Sequence, residues 1–319
     1  ANEAPPAIVS MFLGSDLTDI LAAIEKDEKY DPKQKELMRI GVHTLPKFPK
    51  DTTDRNRTSP FAFTGNKFEF RMLGSAASVS GANTVLNTAV AEELRQFADT
   101  LEGAENFEVA LHDLIKKTIA EHKRIIFNGD GYDDAWVREA AKRGLYNLKT
   151  TPDALSHMMD EKNVKLFTSH NVLTEVEMAA RHEVRLENYC KIINIEALTM
   201  LDMVRRDILP AMSAYSAELA RDAKEKSALL GETDISYEKE TAKSLSALIG
   251  SAFRNAKKLE SDLLAAKSVT DTAELANVYQ STILDDMRSL RIAVDEMETM
   301  AEAKVWPYPT YGELLFGVC

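Results

Sequence analysis

The sequence predicts an α+β fold that is mostly α, with a small sheet near the front followed by a long helical bundle. Three observations carry this expectation. Within residues 60–73, "PFAFTGNKFEFRML", the charged Lys67, Glu69 and Arg71 alternate with Phe68, Phe70 and Met72 at the two-residue period of a strand. The Thr64-Gly65-Asn66 break inside them has the composition of a hairpin turn. Further on, apolar residues such as Leu245, Leu248, Ile249, Ala252, Leu259 and Leu263 recur at three and four, the period of a buried helical stripe.

In chain order, "AIVSMFL" (7–13) reads as a buried strand. "DLTDILAAIEK" follows with Leu17, Ile20, Leu21 and Ile24 on one helical face. Residues 25–55 are charged and carry Pro32, Pro46 and Pro49, which marks a surface excursion. After the hairpin, "GSAASVSGAN" reads as a loop, with Asn83 or Thr84 capping the helix "TVLNTAVAEELRQFADTL". A helix fits 106–124, "NGDGYDD" a turn, and "AWVREAAKRG" another helix. Thr151-Pro152-Asp153 opens a shorter helix, with proline in its first turn. Thr174 and Glu177 have capping-box spacing and open a long helix, expected to kink or break at Pro210. Two more long helices fit 235–267 and 271–304, giving an antiparallel bundle, and the aromatic, proline-rich tail is expected to dock on a surface.

The 319 residues suffice for two domains. A net charge of −12 argues against nonspecific nucleic-acid or anionic-membrane partners, which need a basic surface. Two cysteines, Cys190 and Cys319, make no disulfide framework and suit a reducing cytoplasm. No apolar run is long enough to span a bilayer and no signal peptide stands at the front. The chain opens "ANEAPPAIVSMFLG" without an initiator Met, which is expected either of a processed N-terminus or of residues that continue a strand begun upstream.

Several motifs fail on spacing. His182-Glu183 has Leu186 where a zinc helix needs its second His, and "NGDGYDD" lacks the ligand spacing and closing Glu of a calcium loop. There is no phosphate-cradling glycine loop and no Cys/His zinc cluster. What remains is the front segment with Glu3, Arg57, Lys67, Glu69 and Arg71. Each alone is most simply a solvated surface charge. Together, Arg and Lys suit carboxylate or phosphate, and a Glu between cations suits a divalent ion bridging phosphate oxygens.

At these residues the chain resembles the glutamine synthetase family, its long type III subgroup in particular. "NEAPPAIVSMFLG" resembles the family's flap, "DRNRTSPFAF" its Asn-Arg-Ser/Thr phosphate-binding motif, "NKFEFRMLGS" its metal- and substrate-binding strand, and "WPYPTYGELLF" the end of type III chains. The resemblance implies a catalytic portion over 1–150, with a surface insertion at about 15–55, and a C-terminal helical domain with a docking tail over 151–319. It further implies that the strands are the edge of a larger catalytic sheet and that the chain is part of a larger enzyme, with other metal ligands upstream. That enzyme would ligate ammonia to glutamate with ATP and Mg2+ or Mn2+ through γ-glutamyl phosphate, in the cytoplasm and as rings, dodecameric in form. Glu69 would be a metal ligand, and Arg57 and Lys67 would bind ATP. Arg57 would act on the transferred phosphoryl group, Arg71 would hold a substrate carboxylate, and Glu3 would close the site and take a proton from ammonium. The sequence departs from the family pattern at Ala62, where a second phosphate-binding Arg is expected. Two rival readings stay open: a helical assembly module without activity of its own, and a related ATP-dependent carboxylate–amine ligase.

Overall fold

Strand β1 (Met11–Phe12) runs parallel to β2 (Phe61–Phe63), which pairs antiparallel with β3 (Phe68–Phe70) in a sheet of order β1-β2-β3. The computed structural model describes residues 8–30, 58–74, 77–231 and 234–317. Glu3, Arg57 and most of the 25–55 excursion lie outside them. β1 is shorter than the expected 7–13 strand. Its partner supplies only three residues, because Pro60 has no N–H with which to extend the ladder. On its other side Met11 bridges to Ile126, so β1 is held from both edges.

The contacts of the chain divide it into two units: residues up to Lys149 with Asp160–Glu175, and Thr150–Met159 with the chain from Val176 onward. In the first, α1 (Gly14–Lys26) packs on α3 (Phe107–His122). Its C-cap residue Asp27 is reached by Lys116 and by His112, whose Nε2 lies 3.0 Å away. Helix α2 (Val79–Leu101) starts earlier than the sequence suggests: Ser78, not Asn83 or Thr84, caps it by accepting from the Ser80 N–H. Thr84 instead lies inside the helix and donates back to the Ser80 carbonyl at 2.8 Å, an option open to hydroxyl side chains in a helix. Asp133 caps α4 (Asp134–Lys142). Its Trp136 is buried with Ile8 and Ala140 and stacks on Phe127 at 4.0 Å. Helix α6 (Glu161–Ser169) belongs to this unit and packs on α2, where His170 Nε2 lies 2.8 Å from Glu92.

The second unit contains α5 (Thr151–Leu155) and three rods. The first rod is α7 (Glu175–Met203), a π-helical turn (Val204–Ile208) and α8 (Leu209–Leu230). Pro210 therefore follows an interruption of the α pattern, as expected. The wide turn, in which Leu209 N–H reaches the Val204 carbonyl, accommodates a residue that cannot donate. The second rod is α9 (Ser236–Ala266). The third is not the single helix expected: α10 (Thr272–Val278) and α11 (Leu284–Met300) are joined through a second π-helical turn, Tyr279–Ile283.

Cross-contacts give the directions. Lys226 meets Glu238 and Arg205 meets Glu260, so α9 runs against the first rod. Lys258 meets Asp286 and Asn255 meets the Ser289 carbonyl, so the third runs against α9. One apolar cluster runs along all three, from Leu186 to Met297.

The tail both meets and departs from expectation. Val305, Trp306 and Tyr308 pack on the bundle, and the Tyr308 hydroxyl donates to Asp207 at 2.7 Å. Beyond them, Thr310 and Glu313 form a capping box that opens a short helix, α12 (Tyr311–Phe316), whose Leu314, Leu315 and Phe316 are exposed.

Leu290 is fully buried in the bundle, while Ile292 two positions on is 65% exposed. Leu290→Ala is expected to cost about 2–5 kcal/mol and Ile292→Ala less than about 0.5 kcal/mol in denaturant unfolding. Similar costs at the two positions would contradict this packing.

Candidate active site

The hairpin that carries the charged side chains is closed by its own turn. Thr64 N–H donates to the Lys67 carbonyl at 2.9 Å, and Gly65 has φ +97°, which a side chain would strain. The register is then fixed as Phe61 opposite Phe70, Ala62 opposite Glu69, and Phe63 opposite Phe68. Alternation places Lys67, Glu69 and Arg71 on one face. Arg71 donates to Glu69 Oε2 through Nε at 3.2 Å and Nη2 at 3.0 Å, while Lys67 Nζ lies 3.2 Å from Oε1.

The simple expectation of an apolar face inside and a charged face in water does not describe this sheet. Phe68, Phe70 and Met72 are 46%, 39% and 44% exposed, whereas the Arg71 side chain is 19% exposed and Ala62, opposite Glu69, is fully buried. The rings pair across the strands, Phe61 with Phe70 at 5.5 Å and Phe63 with Phe68 at 5.3 Å. The burial of Ala62 also gives a physical reason for the small side chain there: a longer one would need space that is already filled.

Glu69 sits between two cations, and its carboxyl is held below the ordinary range by hydrogen bonding from Arg71 first and Lys67 second. It is therefore an ionised acceptor over the neutral range. Among the described residues no group of three or more His, Cys, Asp or Glu is arranged to hold a metal ion. Glu69 contributes one hard carboxylate, which fits a divalent ion that takes its other oxygens from phosphate, water and residues elsewhere. Of the residues singled out from the sequence, the structure brings Lys67, Glu69 and Arg71 together, while Glu3 and Arg57 fall outside the described part.

Two residues of the "NGDGYDD" turn touch the segments that follow Glu3 and Arg57 in sequence. Asn128 Oδ1 accepts from the Leu13 and Gly14 N–H groups, each at 3.0 Å, and Gly131 N–H donates to the Thr58 carbonyl at 2.8 Å. Composition gave no signal for this, because Asn, Gly and Asp are ordinary turn residues.

The geometry thus defines a mostly helical chain with an ionised carboxylate clamped between two cations on a small sheet. Residues 110–227 match the family model described as the glutamine synthetase C-terminal domain. Over 99% of its length the chain is 40% identical to a glutamine synthetase of Butyrivibrio fibrisolvens and 38% identical to a type-3 glutamine synthetase of Dictyostelium discoideum. It is 35% identical, again over 99% of its length, to a glutamine synthetase of Bacteroides fragilis. The chain is thus similar to glutamine synthetases over nearly its whole length. It spans slightly less than half the length of these relatives: 45%, 44% and 45% in the same order. No described helix is long and apolar enough to cross a membrane.

A carboxyl depressed by its partners contributes stability above its unfolded pKa and loses it as pH falls through the folded value. A carbon-detected NMR titration should place the Glu69 midpoint below 4.5, and Arg71→Met should move it upward. An unmoved midpoint in the variant would show that Arg71 does not set the ionisation of Glu69.

Proposed function

We propose that this chain supplies part of the active site of an ATP-dependent ligase that joins ammonia to glutamate through γ-glutamyl phosphate. The observation that carries the reading is the Lys67–Glu69–Arg71 cluster on one strand, in a chain similar throughout its length to proteins named glutamine synthetase. Arg71 presents a planar fork suited to a substrate carboxylate, and Lys67 a mobile point charge suited to nucleotide phosphate. Arg57 binds the phosphoryl group in transfer, whose charge is spread over several oxygens. Glu3 closes over substrate, keeps water from the acyl phosphate and accepts a proton from ammonium. Glu69 holds Mg2+ or Mn2+, which when bound neutralises phosphate charge. A 15–55 insertion, the division of the chain near residue 150 and a cytoplasmic location belong to the same reading.

Assembly into rings, as a dodecamer, belongs to the proposal as well. Its support is the apolar surface the bundle leaves uncovered, including Ile192, Ile195, Leu198 and Ile292. The bundle is unsuited to simple excision as a test, because α9 and α11 fill one core with α7 and α8.

The deciding assay is ATP- and glutamate-dependent glutamine formation. It should be run on this chain alone and on a protein joining it to the segment that completes its relatives' length. Activity is expected only in the joined protein; none in either would overturn the reading, and full activity in the chain alone would show that it carries all the required groups. In the joined protein Arg57→Lys is expected to lower turnover by about 10²-fold despite retaining the charge, since an ammonium lacks the guanidinium fork. Near-normal turnover would remove Arg57 from the phosphoryl site.

A further inference from the structure

We propose that the loop of residues 128–131 positions the two segments that lead to Glu3 and Arg57, with Asn128 and Gly131 as its positioning residues; this rests on the ligase reading above. Asn128 uses its whole amide. Besides accepting from the Leu13 and Gly14 N–H groups, it donates through Nδ2 to Thr18 Oγ1 at 2.9 Å. It thereby fixes the junction of β1 and α1, on the segment that leads out of the Glu3 region. One residue earlier, Phe127 N–H donates to the Met11 carbonyl at 3.0 Å, so the loop enters alongside β1 as an added strand position.

Gly131 does the corresponding work on the other segment. Its buried backbone comes so close to Thr58 that a Cβ there would lie 2.5 Å from the Thr58 carbonyl oxygen and 3.9 Å from Pro60 Cδ. The first distance is well inside what real side chains tolerate, and the obstacle is backbone that cannot rotate away. Conformation is not the reason for glycine here, because Gly131 is absent from the positive-φ glycines. Close approach is. Any side chain at 131 must therefore displace Thr58, the residue bonded to Arg57. The loop also braces itself, with Asp130 Oδ1 accepting from Tyr132 N–H and the Asp130 carbonyl accepting from Asp133 N–H at the start of α4. A loop seated on the Trp136 core thus ties together two segments far apart in sequence.

A misplacement on the order of 1 Å at a reacting group costs about 10²-fold in rate, so Gly131→Ala in the joined protein is expected to lower kcat by roughly that factor. It should also raise KM for ATP and leave KM for ammonia unchanged. A merely structural role would lower the maximal rate by loss of folded protein and leave both KM values alone; that result, or an unchanged kcat, would overturn the proposal. Should Gly131→Ala fail to fold, Asn128 decides. Asn128→Asp keeps the acceptor for Leu13 and Gly14 and should recover most of the turnover that Asn128→Leu loses, whereas equal losses would overturn the role. If the unmutated joined protein forms no glutamine, the ligase reading fails by itself. The clamp is then judged in this chain by amide hydrogen exchange, where Gly131→Ala should speed exchange over Phe61–Phe63, and unchanged exchange would overturn it.

Discussion

Strand β2 is three residues long, yet it is hydrogen-bonded on both sides, to β1 in parallel and to β3 in antiparallel fashion. That pairing is the constraint on which the charged end of the molecule depends. A parallel partner cannot be reached by a tight turn, so β1 and β2 must be brought together by a long connection, in which α1 packs against α3. The antiparallel partner is reached by a closed hairpin, whose register sets Ala62 against Glu69. A slip of one residue would carry Lys67, Glu69 and Arg71 together to the other face of the sheet, away from the covered Ala62 side. The Gly65 turn and the Phe61–Phe70 and Phe63–Phe68 ring pairs oppose that slip together.

The bundle solves a different problem, that of keeping one stripe buried along rods of great length. Several buried positions step by four, as in Val204, Ile208 and Met212 and again in Tyr279, Ile283 and Met287. In a regular α-helix each such step drifts the stripe by about 40° around the axis. A π-helical turn has more residues per turn and absorbs the drift. Both π turns lie on these stretches, Val204–Ile208 and Tyr279–Ile283. Pro210 benefits from the first, but the second has no proline, so the stepping pattern is the common cause.

This also explains what could be read from the sequence. The helix over 106–124 was legible because helical spacing and a polar cap at Asn106 agree there, the helix over 235–267 from its apolar stripe, and the hairpin because Thr64-Gly65-Asn66 separates two short strand-like runs. The split between α10 and α11 was not, since a step of four is also ordinary helical spacing. The start of α2 was misplaced because Ser, Gly and Ala resemble a loop until a cap at Ser78 makes them a first turn. At the site, alternation gave the shared face of Lys67, Glu69 and Arg71. It did not give which face is covered, because that depends on what packs above Ala62. Nor could it give Gly131, whose reason lies in the approach of Thr58, a residue more than seventy positions away.

The charge arrangement on β3 bears on how such a site works in the proposed reaction. A carboxylate flanked by a guanidinium and an ammonium is locally one positive charge in excess, so the cluster attracts anions even in a chain of net charge −12. Both cations are spent on Glu69 when no anion is present, and the exposed Lys67 pair is weak, screened by water. The Arg71 pair is held by two donors and is the more persistent of the two. In the proposed reaction an arriving phosphate would draw Lys67 away at little cost, while the Arg71 pair would persist and orient Glu69. The alternating strand thus supplies one replaceable partner and one fixed partner for the same carboxylate, which is what a site needs if it must change its ion pairing during a reaction without losing its geometry.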